Sequence, residues 1–304
     1  MRGIVTKATG TNYIVELESG DLLNCNLKGS FRIQAIQSTS PIVVGDYVDV
    51  EGIAGSFTII NLYERKNKIV RKSVKLSKKE HIIASNIDQA ILMVTIKDPV
   101  TTTLFIDRFL VSAEAYSVNV ILMFNKLDIY SDVELEKQVN LEKIYKDIGY
   151  QTLSYSILND DLSKVKKILK DKVNILSGHS GVGKSTLINK LENNLNIKTN
   201  EISFSHNQGK HTTTFSELHR LSFGGSVIDT PGIKGFGLVN INSNEVCNYF
   251  PEFIASRDEC KYSNCIHQEE PDCAIKKKYL NGNIAKSRYN NYLSILSESK
   301  SNFR

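Results

Sequence analysis

The chain lacks any apolar run long enough to cross a bilayer. Its longest runs, such as Ala90–Ile96, fall far short of the ~20 residues that span roughly 30 Å of hydrocarbon, so no membrane partner is expected. The N-terminal stretch from Met1 to Gly20 alternates polar and apolar residues and includes Glu16 and Glu18, unlike the apolar core of a secretory signal; a cytoplasmic protein is the expectation. Internal repeats and low-complexity tracts are absent, which argues against solenoid and fibrous architectures. Cysteine is scarce, with five in 304 residues, and Cys25 and Cys247 stand alone. Neither sign of charge dominates: the formal net charge of +5 is modest for this length and by itself neither implies nor excludes a nucleic-acid partner.

The length exceeds what one hydrophobic core usually organises, and the patterning divides accordingly. Short β segments at Gly3–Lys7, Asn12–Leu17, Leu22–Asn26, Tyr47–Gly52 and Ser56–Leu62, punctuated by Gly, Asn, Asp or Pro, suit a small barrel over residues 1–66. An OB-type barrel is preferred, although five strands of this length also fit an SH3-like one. A basic segment follows: Arg65–Lys79 holds eight Lys or Arg and no acid, and reads as a boundary. Over 67–239, long apolar runs alternate with amphipathic stretches. Ile91–Ile96, Val118–Phe124, Thr152–Ile157, Val173–Ser177 and Ser226–Asp229 read as buried parallel strands, with helices at Leu104–Tyr116, Glu134–Ile148, Leu162–Leu169 and Lys184–Leu191. That is an α/β doubly wound domain. Residues 240–304 turn polar, carry the remaining cysteines, and end in Tyr279, Ile284, Tyr289, Tyr292 and Ile295, suited to packed helices.

The strongest chemical signal is Gly178-His179-Ser180-Gly181-Val182-Gly183-Lys184-Ser185-Thr186, which follows a strand and opens a helix. Its glycines let successive N–H groups and the helix N-terminus face a phosphate with no Cβ in the way. Lys184 would reach the β- and γ-phosphates, and the Ser185 hydroxyl would hold Mg²⁺. Asp229-Thr230-Pro231-Gly232 ends another strand, where the acid can contact the magnesium shell and the Gly232 N–H the γ-phosphate. Between them, Gly209–Thr214 includes three threonines. One of Thr212, Thr213 and Thr214 would complete the magnesium shell; Thr213, the middle one, is carried as the candidate, though the sequence does not separate it from its neighbours.

Asn125-Lys126-Leu127-Asp128 ends the strand Val118–Phe124. A carboxylate at Asp128 can accept from guanine N1–H and the exocyclic amino group, which adenine does not offer in that arrangement, and Lys126 can cover the base with its stem. Ser156, closing the next strand, marks a segment whose backbone N–H would meet guanine O6. Ordinary GTPases place the phosphate loop before the base motif. Here the order is reversed, and the chain after Gly232 leads straight toward the C-terminal region. Nucleotide-dependent movement of 205–215 and 229–238 is therefore expected to reorient that region. Ile233 follows the Asp-x-x-Gly segment, where many GTPases use a water-positioning glutamine; it can neither donate nor accept a hydrogen bond, so slow intrinsic turnover is expected, with His211 and His219 as candidate substitutes.

Cys260-x4-Cys265-x-His267-x5-Cys273 gathers three thiols and an imidazole in fourteen residues, a donor set for one closed, structural zinc ion.

Together these segments resemble the RsgA (YjeQ) family of circularly permuted bacterial GTPases that act in maturation of the small ribosomal subunit. The likeness runs over nearly the whole chain: the barrel, Asn125–Asp128, Gly178–Thr186, Gly209–Thr214, Asp229–Gly232 and the Cys/His cluster with Pro271 inside it. His179, where the family commonly carries Gln, and Ile157, where a small residue often follows the serine, depart from it. The resemblance implies an OB-fold barrel, a permuted P-loop GTPase domain and a zinc-binding helical domain. It further implies GTP hydrolysis stimulated by the small ribosomal subunit, in late checking or release steps of its assembly; GTP/GDP with Mg²⁺, a 16S rRNA contact and a monomer are expected beside it. The basic segment and the barrel suit such a partner, because phosphate contacts dominate RNA affinity.

Overall fold

The computed structural model describes residues 1–9, 12–29, 41–53, 55–71, 81–192, 216–229 and 241–301. The first five strands, β1 (Arg2–Ala8), β2 (Tyr13–Leu17), β3 (Leu22–Leu27), β4 (Tyr47–Ile53) and β5 (Ser56–Leu62), pair in the order β1-β2-β3-β5-β4. β4 then returns to β1 and closes a barrel, with β3 and β5 parallel and the other pairs antiparallel. Alternation along each strand turns Val5, Val15, Cys25, Val48, Val50 and Ile59 inward to a shared core. The five-stranded barrel is of OB type.

The basic segment, expected only as a boundary, contributes β6 (Lys68–Arg71), which pairs antiparallel with β7 (His81–Ser85). Its few apolar residues do not make a period among so many cations. Val70 and Ile82 are buried only because they pack with Val43 and Tyr116. The same junction holds Asp46, fully buried, which accepts from Arg65 Nε (2.7 Å) and Nη2 (2.7 Å), Ser85 Oγ (2.5 Å) and the Val43 amide (2.8 Å). Through Arg65 and Ser85 this carboxylate fastens the barrel to the β6–β7 ribbon.

In the α/β domain, β8 (Gln89–Val94), β9 (Asn119–Phe124), β10 (Gln151–Ser154), β11 (Val173–Ser177) and β13 (Ser226–Asp229) are parallel, in the order β10-β9-β8-β11-β13. Every residue of β8 is buried, as its unbroken apolar run requires for a strand covered on both faces. Helices α1 (Thr103–Ala115), α2 (Asp132–Asp147), α3 (Ser163–Leu169) and α4 (Lys184–Leu191) lie close to their expected positions. α2 begins two residues earlier than its apolar pattern, because Ser131 and Glu134 form a capping box. β10 stops at Ser154 rather than Ile157, since the Ser156 amide is taken by the Asp160 carboxylate at 2.7 Å.

A further strand, β12 (Glu217–Arg220), has no strong sequence signature, for only Leu218 is buried. It pairs antiparallel with β13 and meets β1 at Lys7↔Glu217, joining barrel and α/β sheet into eleven strands. Lys7–Glu217 (3.0 Å) and Arg220–Glu16 (2.9 Å) ion pairs flank the seam.

The C-terminal region holds α5 (Pro251–Ile254), α6 (Ala274–Leu280) and α7 (Lys286–Ser301). Ile284, Tyr289, Tyr292 and Ile295 are buried and Tyr279 packs beside them, in a core that also takes in Val111 of α1. An interior charge network crosses this contact. Arg288, 1% exposed, donates to Asp107 Oδ1 (2.6 Å) and to both oxygens of Glu252 (2.7 and 3.0 Å), while Asp107 also accepts from Tyr145 (2.9 Å) and Asn291 (2.6 Å). Burial alone would lower the Arg288 pKa, but the two carboxylates outweigh it and the net shift is upward. Arg288→Met is expected to cost about 3–5 kcal/mol, because it leaves the buried Asp107 and Glu252 carboxyl groups without their cation. Chemical denaturation followed by circular dichroism checks this, and parent-like stability would contradict it.

Candidate functional site

The carboxyl ends of β8 and β11 adjoin where the chain's connections diverge to opposite sides of the sheet, the place where open α/β sheets take ligands. The phosphate loop leaves β11 there. Gly178 has φ +140°, and a Cβ on it would come within 2.7 Å of the Met93 carbonyl; Gly183 has φ +107°, and a Cβ would meet Asn125 Nδ2 at 2.5 Å. Both positions need glycine for conformation and for space. α4 opens at Lys184, so Lys184, Ser185 and Thr186 form its first turn, all half-buried, with Ser180 exposed and Gly181 and Val182 between. Lys184 Nζ donates to the carbonyls of Gly178 and His179, each at 2.8 Å, which places the ammonium across the loop. His179 lies against Phe105 of α1, ring centroids 4.0 Å apart. Burial first, and then the Lys184 charge, lowers its pKa and favours a neutral imidazole.

The base motif is tied to this loop by one side chain. Asn125 leaves the end of β9 and is 3% exposed; its Nδ2 donates to the Val182 carbonyl (2.7 Å) and its Oδ1 accepts from the Ile157 amide (3.1 Å). Lys126 adopts a left-handed conformation, φ 68°, and its ammonium donates to the Asp98 carbonyl. Asp128, exposed, accepts from Ser156 Oγ at 2.6 Å. Asn125 and Val182, 57 residues apart, and Asp128 and Ser156, 28 apart, are thus each linked directly. Asp229 ends β13, whose Ile228 pairs with Ile175, so its backbone runs level with the last residues before Gly178. Thr213, Gly232, the threonines Thr212 and Thr214, His211 and Ile233 lie outside the described residues. His219 pairs with Val227, two positions back from Asp229.

Sequence reasoning did not single out Asp160, Phe105 or Tyr130. Asp160 orders the turn bearing Ser156, and an acid four residues past that serine is a recognisable turn signal. Nothing in the sequence distinguishes Phe105 and Tyr130 from any other aromatic residue until their neighbours in space are known.

The cysteine cluster is assembled at the start of α6. Cys260, Cys265, His267 and Cys273 bring their ligand atoms within 4.8 Å of one another, the last three buried. His267 Nδ1 lies 3.6 Å from Cys260 Sγ and 3.4 Å from Cys273 Sγ. Tetrahedral zinc, with Zn–S and Zn–N lengths near 2.3 and 2.0–2.1 Å, separates S and N by about 3.6 Å, so the donors fit. His267 has φ 57°, its carbonyl accepts from Tyr289 (2.8 Å), and Phe253 meets its ring edge-on. The Glu270 carboxylate collects the amides of Ile266, Gln268 and Glu269.

A strand-loop-helix cradle of P-loop form, an Asn-Lys-x-Asp loop encoded ahead of it, and a Cys₃His cluster whose donors fit a metal define a permuted P-loop protein with a C-terminal appendage. No described helix is long and apolar enough to cross a membrane. The RsgA GTPase family model matches residues 62–239 and the RsgA N-terminal domain model residues 2–60. The "Small ribosomal subunit biogenesis GTPase RsgA" of Flavobacterium johnsoniae is 53% identical over 100% of this chain and 95% of its own length. The Bacteroides fragilis protein of that name is 47% identical over 98% of this chain and 97% of its own. The structure of YjeQ from Thermotoga maritima superposes with TM-score 0.80 at 36% identity, covering 98% of both chains. YloQ, a circularly permuted GTPase, gives 0.74 at 28% identity, covering 99% of this chain and 95% of its own. The chain belongs to the RsgA GTPase family, and its enzyme class is GTP hydrolase.

Burial pushes the Cys265 thiol up to about 12 and raises Cys273, and it lowers His267. A bound cation must therefore displace thiol protons, while the imidazole is already neutral. Zinc affinity is expected to fall as pH falls from about 8 to about 6 in competition with a chromophoric chelator; a pH-independent affinity would contradict this protonation scheme.

Proposed function

We propose that this chain is a small ribosomal subunit biogenesis GTPase: it binds guanine nucleotide at the Gly178–Thr186 and Asn125–Asp128 loops, hydrolyses GTP, and is stimulated by the subunit. The observation that carries the reading is the Asn125 bridge from the base loop to the phosphate loop, on a chain alike over its full length to proteins of that name. The domain limits 1–66, 67–239 and 240–304 belong to the same proposal.

Asp128 reads the base. Its carboxylate, oriented by Ser156, accepts from guanine N1–H and the exocyclic amine, and an adenine there offers it no matching pair of donors. Lys184 and the loop amides at the head of α4 stabilise charge on the transferring phosphoryl group while water attacks it. Ser185, Asp229 and one threonine of 212–214 are the donors that would hold Mg²⁺, whose chemistry is to neutralise charge between the β- and γ-phosphates. The isoleucine at 233 offers no hydrogen bond to the water, in keeping with slow turnover until the ribosome or a side chain such as His211 completes the site.

The Cys₃His cluster holds one structural zinc that orders the loop ahead of α6. Four protein donors leave no open position for catalysis. 16S rRNA is the partner that the cations of Arg65–Lys79 and the barrel suit, through phosphate contacts. A monomer working in the cytoplasm completes the reading.

Phosphate release from GTP and ATP, with and without purified small subunits at fixed salt, tests it. Slow, GTP-selective turnover that rises sharply with subunits is expected; equal ATP turnover would overturn the base reading, and indifference to subunits the partner. Asp128→Asn should weaken GTP and favour xanthosine nucleotides, whose altered edge offers an acceptor. GTP affinity that stays unchanged in that variant removes Asp128 from the site.

A further inference from the structure

One hydroxyl joins the two segments that hold the base motif. Tyr130 lies two residues past Asp128 and is 9% exposed. Its OH donates to the Asn125 carbonyl at 2.7 Å and accepts from the Ile96 amide at 2.8 Å. The first bond fixes the backbone of the residue whose side chain reaches both Val182 and Ile157. The second fixes the start of the loop between β8 and α1.

That loop is closed on itself. The Thr101 amide donates to the Thr95 carbonyl (2.9 Å), the Thr95 amide to Thr101 Oγ1 (3.1 Å), and Thr95 Oγ1 to the Pro99 carbonyl (2.5 Å). Within it the Asp98 carbonyl receives the Lys126 ammonium. Tyr130 therefore touches the anchorage of two motif residues at once: Asn125 directly, and Lys126 through the loop that opens at Ile96. Burial raises the phenol pKa and keeps the donor proton in place.

We propose that Tyr130 is a positioning residue for guanine binding, setting the Asn125–Asp128 segment and the Thr95–Thr101 loop in one register through the Asn125 carbonyl and the Ile96 amide. The proposal rests on the reading of Asn125–Asp128 as the base site. Phenylalanine at 130 keeps the ring and removes both bonds, leaving a carbonyl and an amide to find other partners. The Asn125 amide still donates to the Val94 carbonyl at 2.9 Å, so the Asn125–Val182 bond persists and the phosphate loop is disturbed less than the base loop.

The test is Tyr130→Phe in the full chain, titrated with GDP and with tripolyphosphate in the presence of Mg²⁺, alongside GTP turnover. GDP should weaken about tenfold, or ~1.4 kcal/mol, and tripolyphosphate by less than about twofold, with the turnover defect falling on KM more than on kcat. Equal weakening of both probes, or GDP binding within about twofold of the parent, overturns the proposal. Should the variant not fold, amide exchange in the unsubstituted chain serves. Exchange over 95–101 should slow with GDP and not with tripolyphosphate, and indifference to GDP overturns the proposal. Asp128→Asn run in parallel separates the two levels. If it leaves GTP affinity intact, the base-site reading fails; if it acts while Tyr130→Phe is silent, only the role of Tyr130 fails.

Discussion

The proposed nucleotide site depends on the Asn125 carboxamide. Its two hydrogen bonds, to the Val182 carbonyl and from the Ile157 amide, join three loops that leave three different strands. Each loop is locally soft, since loops lack the repeated backbone pairing of the strands that carry them. A 3%-exposed amide satisfied on both sides turns them into one surface. It also explains why a permuted motif order is tolerated. The bonds require proximity at the sheet's carboxyl edge and are indifferent to which loop the chain reaches first.

Around that edge the other two regions are attached by different devices, each close to the phosphate loop. α1 presents Phe105 to His179 at one point and Asp107 to Arg288 two residues further along, so a single helix touches the loop and the C-terminal core. β12 leads from the threonine segment into β13 and Asp229, and its outer edge meets the barrel at Lys7↔Glu217. The expected reorientation of the C-terminal region must work against the buried Arg288 network and the shared core around Val111. Breaking that network would strand charges in the interior, which favours movement of the C-terminal region together with α1.

Much of this was legible in the residues. Continuous apolar runs identified the parallel strands because a strand covered on both faces admits no alternation. Gly178 and Gly183 stood out as positions needing glycine, and side chains there would collide with Met93 and Asn125. The donor spacing of Cys260, Cys265, His267 and Cys273 marked a metal site because such short loops bring the ligands together whatever lies around them. What escaped notice is stabilised from outside its own sequence. β12 exists through pairing on both edges, β6 and β7 through burial of Val70 and Ile82 against neighbours, and the Arg288–Asp107 contact spans 181 residues. Ion pairs at such separation leave no periodicity to read.

The most direct test of the bridging role is nucleotide titration of Asn125→Ala, with GDP and with tripolyphosphate as separate probes. If the carboxamide joins base loop to phosphate loop, both affinities fall, because Val182 loses its donor as Ile157 loses its acceptor. Loss of GDP affinity with tripolyphosphate binding left at the parent value would contradict the account, reducing Asn125 to a contact of the base loop alone.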